Sequence, residues 1–94
     1  MTHDDRPVLT LYSTADCSLC ADARETLQAL LEERARAGLA LPAVRDVDIA
    51  SDPALGRHRS NVPVLELRGE ELPLATSVGR MRAFLSRTLD ANLA

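Results

Sequence analysis

Val8-Leu9-Thr10-Leu11-Tyr12 runs toward Asp16-Cys17-Ser18-Leu19-Cys20, and these two stretches decide the fold. The first is a short, nearly continuous apolar run, the pattern of a strand covered on both faces and expected over residues 8–13. Thr14-Ala15-Asp16 is a loop of the right composition to turn the chain. From Ser18 the period changes: Cys20, Ala23, Leu27, Leu30 and Leu31 recur at helical spacing, while Asp22, Glu25, Glu32 and Glu33 fall elsewhere. This helix is expected to run to about Ala37, with Gly38 as its stop. A strand therefore feeds a two-cysteine turn that opens a helix.

Outward from that unit, residues 1–7 form a flexible lead-in ending at Pro7, and Pro42 closes the linker after the helix. Residues 43–49, Ala-Val-Arg-Asp-Val-Asp-Ile, read as a second strand. Strand, helix and strand in about 40 residues predict a right-handed crossover with parallel strands. Asp52-Pro53 is an N-cap and first-turn pair for a short helix over 53–58. Residues 62–67, opening Val62-Pro63, are expected as a third strand. Arg68-Gly69 is a tight turn, and residues 70–74 return as a fourth. Pro73 has no N–H to give a ladder, which puts that strand at an edge. Thr76 or Ser77 caps a last helix with Val78, Met81, Phe84, Leu85 and Leu89 as its buried stripe, fraying near Asn92.

With 94 residues the chain reads as one domain spanning 1–94. A hydrophobic fraction of 46% with 27% charged residues is ordinary for a globular chain. Tyr12 and Phe84 are its only aromatics, so the core must be aliphatic. Few aromatics and a net charge of −3 argue against nucleic acid, which needs stacking platforms and a basic surplus. No apolar segment approaches the roughly 20 residues of a membrane span. The polar, acidic start lacks the features of a secretory signal, so the expected location is cytoplasmic. In that compartment two cysteines rarely make a static disulfide, which leaves catalysis, metal binding or chance.

Chemistry favours the first. A thiolate is the nucleophile of thiol exchange, and unpaired N–H groups at a helix N-terminus stabilise it. Cys17, before the first turn, is the expected attacking nucleophile, and Cys20, one turn further in, the resolving thiol. An incidental surface thiol at Cys17 with a core cysteine at Cys20 fits the junction of strand and helix less well. A structural zinc needs four ligands, and beyond the cysteines only His3 and His58 are available, so no metal site is expected within one chain. Two chains could still share an iron–sulfur cluster. Asp16 disfavours the thiolate beside it, whereas Arg24 would offset Asp16 if it folded back. Ser18 and Leu19 tune the pair and, with Asp16, border the substrate.

On these residues the chain resembles a small glutaredoxin-like protein of the thioredoxin superfamily, similar to short bacterial members. The carriers are residues 9–13 leading to Cys17-Ser18-Leu19-Cys20, the acidic strand end 46–49, and Asn61-Val62-Pro63-Val64-Leu65. The resemblance implies an α/β thioredoxin-like fold, with a four-stranded mixed sheet ordered 2-1-3-4 flanked by helices. It also implies a cis Val62–Pro63 bond facing the cysteines, so that the Val62 backbone receives an extended substrate. The chain departs from true glutaredoxins at Ser18-Leu19, where they carry an aromatic pair, and at Thr14, where they carry Lys. It departs again at Pro73-Leu74, where they carry paired glycines. Glutathione as reductant is therefore poorly matched, and no bound cofactor is expected.

The expected function is thiol–disulfide exchange by Cys17 and Cys20 on a protein or low-molecular-weight disulfide, with the electron donor left open. A non-catalytic thioredoxin-fold interaction domain and, less favoured, an iron–sulfur-bridged dimer are the alternatives.

Overall fold

The structure, a computed structural model, describes residues 6–90, so the expected lead-in up to Asp5, His3 and the fraying near Asn92 lie outside the described residues. Strand β1 (Val8–Ser13) leads through α1 (Ser18–Arg36) to β2 (Ala43–Asp48), and two 3-10 turns follow, Ile49–Ser51 and Pro53–His58. Then come β3 (Val64–Leu67), β4 (Glu70–Leu72) and α2 (Val78–Asp90). The four strands form one sheet in the order β2-β1-β3-β4. β2 lies parallel to β1, and β3 and β4 are antiparallel to their neighbours. Parallel pairing requires a crossover, which α1 supplies. The result is the thioredoxin-like fold.

Alternation along β1 divides the molecule. Leu9 and Leu11 point to the helical layer with Leu65 and Leu67, where Ala23, Leu27 and Leu30 of α1 meet Met81, Phe84, Leu85 and Leu89 of α2. Each fully buried side chain of this kind contributes about 1.5–3 kcal/mol. The opposite face is covered near the end of β1, where the His58 ring stacks on Tyr12 at 4.6 Å.

Helix α1 ends one residue before the expected Ala37, which is its C-cap. Gly38 then takes φ +73°. The Leu39 N–H donates to the Arg34 carbonyl at 2.9 Å and the Gly38 N–H to that of Ala35 at 3.1 Å. This paired closure needs a left-handed residue, which glycine supplies without strain. In the β3–β4 turn, Arg68 at φ 54° and Gly69 at φ 81° form the doubly left-handed hairpin turn that matches strand twist.

Several boundaries differ from expectation. β2 stops at Asp48 rather than Ile49, because the Asp48 carboxylate accepts the Ala50 N–H at 2.9 Å and starts a 3-10 turn. Residues 53–58 form a 3-10 helix rather than an α-helix, with Asp52 capping the Ala54 N–H at 2.9 Å as expected. Six residues with Gly56 among them make too few i→i−4 bonds to favour the wider helix. Val62-Pro63 precedes β3, and β4 ends at Leu72, so Pro73 and Leu74 lie beyond the edge strand. Ser77 caps α2 by accepting the Arg80 N–H at 3.3 Å. Val78 is not part of the buried stripe, being half-exposed in the first turn, while Thr88 joins it and donates to the Phe84 carbonyl.

Among the described residues Arg34 is the buried arginine. Its side chain is only 6% exposed, and its Nη2 meets Asp90 Oδ1 at 2.7 Å. Its Nη1 donates to the other carboxylate oxygen at 3.3 Å, and its Nε to the Ala40 carbonyl at 2.8 Å. The fork clamps the end of α1 to the last residue of α2. Replacing one partner leaves an unmatched buried charge, so Asp90→Ala is expected to lower unfolding free energy by about 3 kcal/mol in urea titration. Arg87→Gln, which removes a half-exposed pair with Glu70, leaves the midpoint essentially unchanged.

Candidate redox site

Cys17 is the N-cap of α1, with extended backbone at φ −123° and ψ 104°. Its Sγ accepts the Cys20 N–H at 3.0 Å, and its carbonyl accepts the Ala21 N–H at 3.2 Å. Sulfur thus takes the place that a serine or aspartate oxygen fills in an ordinary cap. A sulfur here faces a donor and the positive end of the helix, both of which favour the thiolate once the pair is reduced. Cys17 and Cys20 are disulfide-bonded, with Cα atoms 5.2 Å apart. Cys20 is 1% exposed, while Cys17 is half-buried. Asp16, Ser18 and Leu19 are all exposed around them.

Sheet register brings the second expected stretch alongside. Tyr12 pairs with Val64, so the same antiparallel register sets Pro63 beside Ser13, at the end of β1 from which the cysteine loop departs. The Val62–Pro63 bond is cis. Pro63 is buried and its carbonyl accepts the Ala75 N–H at 2.7 Å. Val62 is half-buried, and its N–H and C=O have no hydrogen-bond partner among the described residues. The Asn61 carbonyl accepts the Leu74 N–H at 2.8 Å, so residues 74–75 are laid beside 61–63. Leu74 holds φ 51°. A left-handed leucine costs about 1–2 kcal/mol relative to an unstrained residue.

Arg24 does not fold back toward Asp16. It pairs with Asp46 on β2, and its Nη2 approaches Ser13 Oγ at 3.5 Å while Ser13 Oγ donates to Asp46 Oδ1 at 3.2 Å. The hydrogen bond with Asp46 holds the Arg24 guanidinium above its ordinary pKa. Sequence spacing offered Arg24 as a counterweight to Asp16 because α1 carries both Cys20 and Arg24 one turn apart. A strand carboxylate across the crossover is the better partner, and spacing along one helix does not reveal it.

His58, which has no pairing motif in the sequence, is packed on β1 against Tyr12. It is 2% exposed, its Nε2 has no hydrogen-bond partner among the described residues, and that atom lies 3.8 Å from Glu71 Oε2, to which Arg57 donates at 3.1 Å. The available signal was the spacing Leu55–His58, since residues three apart share a face of a 3-10 helix. A shallow cleft of about 410 Å³ runs between Thr14, at the cysteine loop, and Ile49, Asp52, Pro53 and Arg59. A groove of about 440 Å³ lies against β2, lined by Leu27, Leu31 and Val44, and contains neither cysteine. Chemistry, rather than cavity size, therefore marks the cysteine end as the site. Among the described residues no group of three or more His, Cys, Asp or Glu gathers to hold a metal ion. No described helix is long and apolar enough to cross a membrane.

Comparison with known proteins adds to this geometry. The family model described as Glutaredoxin-like domain (DUF836) matches residues 8–91. The X-ray structure of a structural-genomics target protein from X. campestris is similar, at 36% sequence identity and a TM-score of 0.65. That alignment covers 83% of this chain and 95% of the other. No curated protein matches the chain.

Burial separates the two thiols once the disulfide is reduced. Iodoacetamide is expected to label Cys17 first and Cys20 only on unfolding, as peptide mass mapping over a time course would read. Equal labelling rates in the folded protein would contradict this ordering.

Proposed function

Because the chain belongs to the glutaredoxin-like domain family (DUF836), we propose that it is a thiol–disulfide oxidoreductase in which Cys17 attacks and Cys20 resolves. The observation that carries this reading is the asymmetry of the pair. Cys17 caps the helix at the surface with an N–H on its sulfur, and Cys20 is buried directly behind it. In the reduced protein the Cys17 thiolate attacks one sulfur of a substrate disulfide. A Cys17–substrate bond forms as the substrate S–S bond breaks, and the first substrate thiolate leaves and takes up a proton. Cys20, losing its proton, then attacks the Cys17 sulfur, and the second substrate thiol departs. The substrate gains two electrons and two protons, and the Cys17–Cys20 disulfide remains until an external thiol reductant returns them.

The substrate in this proposal is a protein or low-molecular-weight disulfide, in a cytoplasmic setting and without a resident cofactor. Val62, with its unpartnered N–H and C=O, receives the substrate backbone beside Pro63, while Asp16, Ser18 and Leu19 border the attacking sulfur. Glutathione is a poor fit as reductant, since Thr14 and Pro73-Leu74 stand where glutaredoxins carry Lys and paired glycines. A second reading, a binding domain without turnover, draws on exposed Asp16 beside Cys17, because a neighbouring carboxylate disfavours the thiolate.

Two variants test the proposal. Cys20→Ser is expected to accumulate a mixed disulfide on Cys17, visible by intact mass, whereas Cys17→Ser loses reduction altogether. The wild-type couple is expected to equilibrate between about −270 and −200 mV in glutathione or dithiothreitol buffers. A wild-type rate no faster than that of free cysteine would favour the binding-domain reading.

A further inference from the structure

Strand β2 closes the sheet on the side away from β4, and its outer edge is open. The Ala43 N–H donates to the Pro7 carbonyl at 2.9 Å, so Ala43, Arg45 and Val47 turn their backbone groups toward β1. Val44 and Asp46 present theirs outward, where no strand lies among the described residues. Side chains follow the same alternation. Val44 pairs with Leu9 and Asp46 with Leu11, which sets both on the helical face and Arg45 on the other. Val44, 51% exposed, is one wall of the groove of about 440 Å³, and Leu27, Leu31 and Leu41 supply others. The opposite edge is blunted. There β4 is only three residues long, Pro73 follows it, and Glu70 and Glu71 are tied to Arg87 and Arg57.

Charge narrows what can occupy the β2 edge. Asp46 holds Arg24, and Asp48 caps the Ala50 N–H. Arg45 is exposed and has no ion-pair or hydrogen-bond partner among the described residues. A second copy pairing antiparallel about a two-fold would set Arg45 against Arg45, or Asp46 against Asp46, when centred on either residue. Like charges directly opposite are destabilising. Centred on Val44, the same pairing would bring Pro42, which has no N–H, against the Asp46 backbone. From this we infer that the β2 edge receives an extended segment of a different protein as an added strand. That strand places an apolar side chain over the groove opposite Val44 and a carboxylate opposite Arg45. Backbone groups of Val44 and Asp46 hold it, while the groove and Arg45 choose its side chains. This surface lies apart from the cysteine end, and the inference does not depend on the exchange reaction.

The test titrates the isotope-labelled full chain, its disulfide intact, with short cysteine-free peptides followed by NMR. The peptides share one length and are centred on Thr-Glu-Val, Thr-Lys-Val or Thr-Glu-Ser. The Thr-Glu-Val peptide is expected to slow amide exchange at Val44 and Asp46. It is expected to bind about fivefold tighter than the Lys version, the scale of one cross-strand charge pair, and tighter than the Ser version. Arg45→Glu reverses the preference between the Glu and Lys peptides. Equal affinity for those two peptides, or binding by none of them, would overturn the inference. So would exchange slowed only at the cysteine end. Leu31 and Leu41 methyl shifts without slowed exchange at Val44 would mean a site for small apolar ligands and not an added strand. Slowing at Val44 and Asp46 that grows with protein concentration and needs no peptide would make a second copy the occupant, against the inference.

Discussion

Everything at the cysteine end depends on how β1 is paired. Its ladder to β2 is parallel and its ladder to β3 antiparallel, so one strand end sets the crossover helix and the Val62–Pro63 segment at the same end of the sheet. Because side chains alternate along β1, the same six residues bury Leu9 and Leu11 under the helices and turn Tyr12 to the opposite face. A register slip of one residue would exchange those faces and send the cysteine loop off the wrong side of the layer. The aliphatic core therefore specifies the site as well as stabilising it.

Where backbone pattern dominates, the sequence was a good guide. The α/β class, the Schellman-type stop at Gly38 and the hairpin at Arg68-Gly69 follow from periodicity, caps and turn chemistry, while the strand order 2-1-3-4 was implied by the family resemblance. The cysteine pair was legible as a strand–helix junction for the same reason. Boundaries failed where a side chain competed for a backbone group. The Asp48 carboxylate stops β2 by capping Ala50, and Pro73, lacking an N–H, leaves β4 three residues long. Val78 matched the helical stripe by spacing, yet in the first turn of α2 it lies outside the core.

What periodicity could not reach was contact between distant elements. Nothing in the local sequence marks Arg34, and the end of α2 brings Asp90 to it, 56 residues along the chain. His58 has no pairing motif in the sequence, and the 3-10 turn after β2 folds it onto Tyr12. Leu74 had no signal at all, since a leucine is not expected in a left-handed conformation and only the backbone geometry exposes it. Such departures from local preference gather where the structure has a reason to tolerate them, and here one of them is bonded to the segment beside the cysteines.

The pairing of Arg24 with Asp46 has a consequence for how the cysteine pair is tuned. That guanidinium could have balanced Asp16 only by folding back, a solvated arginine being the favoured expectation, and it is held by a strand carboxylate instead. Stabilisation of a Cys17 thiolate therefore falls to the Cys20 N–H and the aligned peptide dipoles of α1, set against exposed Asp16. These two influences differ in kind. The N–H contact is short, directional and fixed by the helix, so salt barely weakens it. The carboxylate acts through solvent and is screened over about 8–10 Å at ordinary ionic strength. In the proposed exchange reaction the geometry of the cap therefore sets the baseline reactivity of Cys17, with exposed Asp16 working against it.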